Sequence, residues 1–291
     1  MRASLSIKAA LVSAFLLLAL LGLWAAATQH TAGAGSPAAS LTAEEIEYQK
    51  MLGKDPGGSG GGASASGFPT PAQFGATAWK HLADPLYDNG PNDKGFLIQL
   101  GHSLARVGLG FALACLVAVP LGFVIGMSPL LDRAFAPFIQ VLKPISPLAW
   151  MPLALYTIKD SSISGIFVIF ICSVWPMLLN TAFGVASVKR EWLNVARTLE
   201  VSPLRKAFLV ILPAAAPTIL TGMRISMGIA WLVIVAAEML VGGTGIGYFV
   251  WNEWNNLSLS NVIFAIVVIG VVGMLLDLAF AGLQKAVTYV E

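Results

Sequence analysis

Charge is what this chain has least of. Only 11% of its 291 residues are Asp, Glu, Lys or Arg, whereas 57% are hydrophobic, and mean hydropathy is +0.78. A soluble domain carries far more charge, so the sequence predicts an all-α, polytopic membrane protein. The net charge of +2 is too small to argue for nucleic acid as a partner. Cysteine is almost missing: Cys115 and Cys172 both lie inside apolar runs and read as small buried hydrophobes, not as a disulfide pair. His30, His81 and His102 are too scattered for a metal site, and no His/Asp/Glu cluster has ligand spacing. That speaks against a membrane-embedded enzyme, and no catalytic residue, metal or cofactor is expected. Internal repeats at a period of about 20–50 residues are also missing. A secondary transporter would show repeated halves and its own ion-coupling residues, and neither is visible. Gly242-Gly243-Thr244-Gly245-Ile246-Gly247 resembles a phosphate cradle but lacks the Gly-Lys-Ser/Thr ending, so it reads as a tight turn.

What is present is apolar length. Arg2 and Lys8 precede the uncharged run Ala9–Ala27, long enough to cross a bilayer. Residues 1–27 therefore read as a retained anchor in preference to a cleaved signal peptide, whose apolar core is usually ~7–15 residues. Residues 28–95 form an outside segment. In it Thr42 with Glu45 makes a capping box for a helix that Gly53 ends, and Pro56–Pro71 is a flexible Gly/Ser linker. Thr70-Pro71 opens a second short helix that Asp84-Pro85 stops. From residue 96 to 291 the chain is a membrane core. Its spans are expected at about 104–127, 134–158, 162–187, 214–240 and 261–284, about six with the first. Alternation from an inside N-terminus puts Arg133, the basic loop 188–213 and the C-terminus in the cytoplasm, as basic loops prefer. Trp251, Trp254 and Tyr248 then fall at the outer interface.

Four ionisable residues lie in or near the spans: Arg106, Arg224, Glu238 and Asp277. Intramembrane charge usually faces protein, a cavity or a partner. Arg106 and Glu238 lie near outer ends, where snorkelling also explains them. Arg224 lies deeper. Helix pairing is one reading of it. The other is an anion pathway formed by Arg224 and Arg106, with Ser226 and Glu238 nearby, because a guanidinium suits a planar oxyanion.

The polar interruption Lys189–Pro213, KREWLNVARTLEVSPLRKAFLVILP, carries five basic residues between two apolar runs. Trp192, Val195, Ala196 and Leu199 recur at helical spacing on one face, away from Asn194. Ser202 with Pro203 in first position suits the start of a second short helix. Either a solvated loop or a surface helix that docks a partner fits this pattern. Asn194-Val195-Ala196 followed by Val210-Ile211-Leu212-Pro213 resembles the EAA loop of ABC-importer permeases, the coupling helix that seats in the ATPase subunit. The family's leading Glu falls on Asn194 and its Gly on Glu200.

Residues 141–155, 222–247 and 273–283 resemble the nitrate branch of that family, which includes nitrate and nitrite importers with bicarbonate and cyanate relatives; sulfonate permeases are more distant. The resemblance covers roughly 96–285. It implies a type I importer core in a bacterial inner membrane, two permease copies and two cytoplasmic ATPases. It also implies an extracytoplasmic solute-binding protein. Membrane lipids are the remaining expected partner.

Overall fold

A computed structural model describes residues 2–33, 68–90 and 93–287. The Thr42–Glu45 capping box and most of the Gly/Ser linker lie outside the described residues. The chain divides into two compact units, Met1–Lys80 with Leu259–Asn261, and His81–Ser258 with Val262–Glu291.

In the first unit, α1 (Arg2–Gly33) contains an apolar stretch, Ile7–Thr28, long enough to cross a membrane. The second helix, α2 (Pro71–Ala83), begins and ends where its turn residues predict. Thr70 Oγ1 accepts from the Gln73 N–H at 3.3 Å, and Gln73 Oε1 accepts from the Thr70 N–H at 3.0 Å. That reciprocal pair is a capping box. Trp24 packs on Phe68 and Phe74, and its indole N–H donates to the Pro69 carbonyl.

The second unit is built from α3 (Phe96–Met127), α4 (Pro129–Leu142), α5 (Pro147–Ile158), α6 (Ser161–Ala186), α7 (Arg190–Thr198), α8 (Pro203–Val241), α9 (Ile246–Asn255) and α10 (Leu259–Val287). No β-strand occurs among the described residues. Helices apolar around their whole circumference satisfy their backbone internally and bury any face that finds a neighbour. The centre is α3 against α6 and α6 against α8, with Ala114, Ala118, Ile169, Met177, Leu178, Ala215, Val233 and Ile234 sealed between them. Small residues set the spacing. Gly122 lies against the Leu178 carbonyl and Thr181, and Gly126 against Ala182 and Val185, where a Cβ would collide.

These contacts also define the two ends of the core. Gly126, near the end of α3, meets the end of α6, while Arg106, near the start of α3, bonds Ser162 at the start of α6. The segment between them therefore crosses from one end to the other. It does not do so as the single span expected at 134–158. α4 and α5 meet at 89°. Pro147 holds Ser146 in an extended conformation (φ −60, ψ 137) and then opens α5 in first position, so one helix stops and another starts. With α1 and this broken pair, up to six segments are long and apolar enough to cross.

The separate short helix expected after Ser202 is also corrected. Pro203 does begin a helix, but Ser202 gives it no side-chain cap, and the helix runs on through a π turn, Ala207–Ile211, to Val241. Pro213 supplies a reason for the π turn. Its ring lacks an N–H and crowds the preceding turn, and the wider turn, in which Leu212 N–H reaches the Ala207 carbonyl, makes room.

Candidate functional sites

Helix α7 is short and strongly two-faced. Leu193 and Ala196 turn inward, with Leu193 packed on the cluster of Val185, Val188, Ile211, Ala215 and Ile219. Trp192, Val195 and Leu199 turn outward and are 42%, 59% and 70% exposed. The apolar face expected from spacing thus splits: Ala196 belongs to the chain's own core, and the other three form an open surface. Leu204, Phe208 and Leu209 extend that surface onto the first turns of α8. Lys189 lies over the Trp192 ring, 5.3 Å from its centroid.

The turn out of α7 is tight. Glu200 N–H donates to the Arg197 carbonyl and Val201 N–H to the Ala196 carbonyl, both at 3.0 Å, with Glu200 in the left-handed region at φ 51. This is a Schellman closure with glutamate where glycine is usual. The position aligned with the family's Gly therefore keeps the glycine-like backbone without the glycine. Asn194, aligned with the leading Glu, is exposed, and its carbonyl accepts from the Thr198 hydroxyl.

At the opposite end of the core, Glu238 is buried inside a ring of donors. Arg106 Nη1 reaches its Oε1 at 2.7 Å, Ser103 Oγ lies within 2.9 Å of both carboxylate oxygens, and Gly247 N–H donates at 3.1 Å. Ser103 Oγ also accepts from Ile246 N–H, while Arg106 donates to Ser162 Oγ and to the Thr244 carbonyl. The Gly242–Gly247 stretch is thereby explained as a loop that closes over a carboxylate. Gly242 turns the chain at φ 78, and a Cβ on Gly245 would collide with the Glu238 carboxylate. A cavity of about 10 Å³ beside the pair, lined by Arg106, Ser161, Glu238 and Gly242, has room for roughly one water. Arg106 and Glu238 do not snorkel; they satisfy each other.

Ser226 is fully buried between α6 and α8, where its hydroxyl donates to the Ser173 carbonyl at 2.7 Å. Arg224 lies on another face of α8. Its Nε and Nη2 engage both oxygens of Asp277 on α10, with the two side chains 37% and 50% exposed. The expected pathway residues thus fall in three places: a buried clasp, a helix–helix bond and an open ion pair. Sequence reasoning did not find Ser103, whose partners lie 135 and 143 positions away. Nor did it find that the glycine loop serves Glu238. Cys115 and Cys172 are free thiols and only half-buried, less enclosed than their apolar runs suggest, and no metal-binding cluster occurs among the described residues.

Residues 118–289 match the family described as binding-protein-dependent transport system inner membrane component, and the chain belongs to that family. It is 43% identical over 226 residues to the nitrate import permease protein NrtB of Synechocystis sp., covering 78% of this chain and 82% of that one. It is 44% identical over 207 residues to the bicarbonate transport system permease protein CmpB of Synechocystis sp., covering 71% and 74%. Among solved structures, the inward-facing MetNI methionine ABC transporter matches the fold with a TM-score of 0.59 at 15% identity, over 67% of this chain and 96% of that one. The chain is thus a multi-pass inner-membrane permease subunit, a transport component and not an enzyme. Membership implies that it works with an ATPase and a solute-binding protein.

Proposed function

We propose that this chain forms the membrane passage of an ATP-driven importer of nitrate or nitrite, working as two copies with two cytoplasmic ATPases and an extracytoplasmic binding protein. The observation that carries the coupling role is the open face of Trp192, Val195 and Leu199, on a helix otherwise locked into the core. A row of large apolar residues bordered by Lys189, Arg190, Arg197 and Arg205 suits a groove on another protein. The same cations, with Arg133 and Lys285 on the same end, favour the cytoplasmic side. The α7–α8 turn is short and hydrogen-bonded, so displacement of α7 by a closing ATPase passes directly into α8.

Nitrate is favoured by the 43% identity to NrtB. Bicarbonate is the second reading, favoured by the 44% identity to CmpB. Both are small planar oxyanions. The test uses the complex of permease, ATPase and binding protein in proteoliposomes, with uptake of nitrate and of bicarbonate measured separately. ATP-dependent nitrate accumulation is expected; accumulation of bicarbonate alone selects the second reading. Val195→Asp is expected to abolish ATPase capture while leaving the permease inserted. Normal capture and transport by that variant would remove α7 as the docking element. Ala196 is a poorer probe, because a charge there enters the permease's own core.

A further inference from the structure

The Arg224–Asp277 pair lies within two apolar helices yet is open to its surroundings. Exposed Ile225, Met274 and Leu278 flank it. Charge in the middle of a span is not left against hydrocarbon; it faces protein or a water-filled passage. The pair stands with other polar bridges between α8 and α10. Trp231 Nε1 donates to the Ile269 carbonyl at 3.0 Å, and Gln284 Nε2 donates to Thr221 Oγ1 at 2.9 Å. Long side chains, not interdigitated backbones, join the two helices along this line.

We propose that the Asp277 carboxylate is a built-in stand-in for the transported anion, occupying the Arg224 fork when the passage is empty and giving way when a planar oxyanion arrives. This rests on the importer reading above. A carboxylate and a nitrate both present two in-plane oxygens to the parallel N–H groups of a guanidinium, so either fills the same fork. Nη1 of Arg224 has no partner among the described residues, which leaves that nitrogen's two N–H donors to meet the incoming ion before Asp277 moves aside.

The arrangement solves a release problem. An unopposed guanidinium in a narrow passage walled by apolar helices would hold an anion long enough to slow its exit. A tethered carboxylate competes for the same two hydrogen bonds and repels the ion, so occupancy stays brief. Discrimination against cations follows from the same geometry: a cation finds a neutralised pair.

Removing the competitor separates this role from a purely structural bridge. In the reconstituted complex with saturating binding protein, internal nitrate should inhibit uptake by occupying the passage. Asp277→Asn is expected to lower the half-inhibiting nitrate concentration about tenfold, the effect of deleting one nearby like charge. Its maximal uptake rate is expected to fall. Arg224→Gln is expected to lose inhibition by internal nitrate, and Arg224→Lys to retain part of it. An unchanged half-inhibiting concentration in an assembled Asp277→Asn complex overturns the stand-in role while leaving the importer reading intact. Equal loss of assembly in Asp277→Asn and Arg224→Gln, with Arg224→Asp/Asp277→Arg restoring assembly and uptake, overturns it in favour of a structural bridge. No uptake of any planar oxyanion by the wild-type complex overturns both readings.

Discussion

Glu238 is the residue whose surroundings explain the most. A carboxylate among apolar helices would be intolerable alone, and it is held by Arg106, Ser103 and the Gly247 amide. Breaking a buried pair leaves the surviving charge uncompensated, at a cost of about 3–5 kcal/mol. Glu238→Gln is therefore expected to lower the thermal midpoint of the detergent-purified permease by several degrees. Arg106→Met/Glu238→Leu should recover most of that loss. A wild-type midpoint in Glu238→Gln would show that the clasp contributes little to the fold. Glu238 and Arg106 stood out in the sequence as intramembrane charges, and the glycine loop stood out as a turn. Their union did not, because it depends on α3 meeting α8 across more than 130 positions. Arg224 and Asp277 were legible in the same limited way: two charges without an assigned partner.

The individual helices were legible to different depths. Apolar length located the long helices of the core among the described residues, because hydrocarbon thickness fixes how much greasy helix is required. Length says nothing of direction, so the 89° break between α4 and α5 was hidden among prolines that read equally well as mild kinks. Spacing gave α7 its apolar face but could not say which member turns inward. Only packing of α7 on the end of α6 and the π turn assigns Ala196 to the core. Glu200 offers a test of the turn that ends α7. At φ 51 it tolerates glycine freely and proline not at all, since proline fixes φ near −65 and removes the N–H that closes the turn. Glu200→Gly should capture the ATPase and transport as wild type does. Glu200→Pro should insert but fail to capture, measured by pull-down; normal capture would mean that the turn does not set the pose of α7.

For the whole molecule, the basic cluster of α7 and the tryptophans of α9 lie at opposite ends of one helical core. In a background with Cys115 and Cys172 replaced, Thr198→Cys and Asn256→Cys report the two ends. A membrane-impermeant maleimide added to intact spheroplasts should label Asn256→Cys at once and Thr198→Cys only after permeabilisation. Reversed labelling would invert the topology and separate α7 from any cytoplasmic partner. Both marked ends belong to α8 as well. This helix starts just after the α7 turn and carries Glu238, in its clasp, near its far end. Over its 39 residues it would be about 58 Å long if it were a straight α-helix. A rod of that length is a mechanical lever. A twist applied at Pro203 must be absorbed by the π turn or delivered to the clasp at the far end. Displacement at one end of the core and displacement at the other are thereby tied together by the stiffness of one helix, without two separately moving parts.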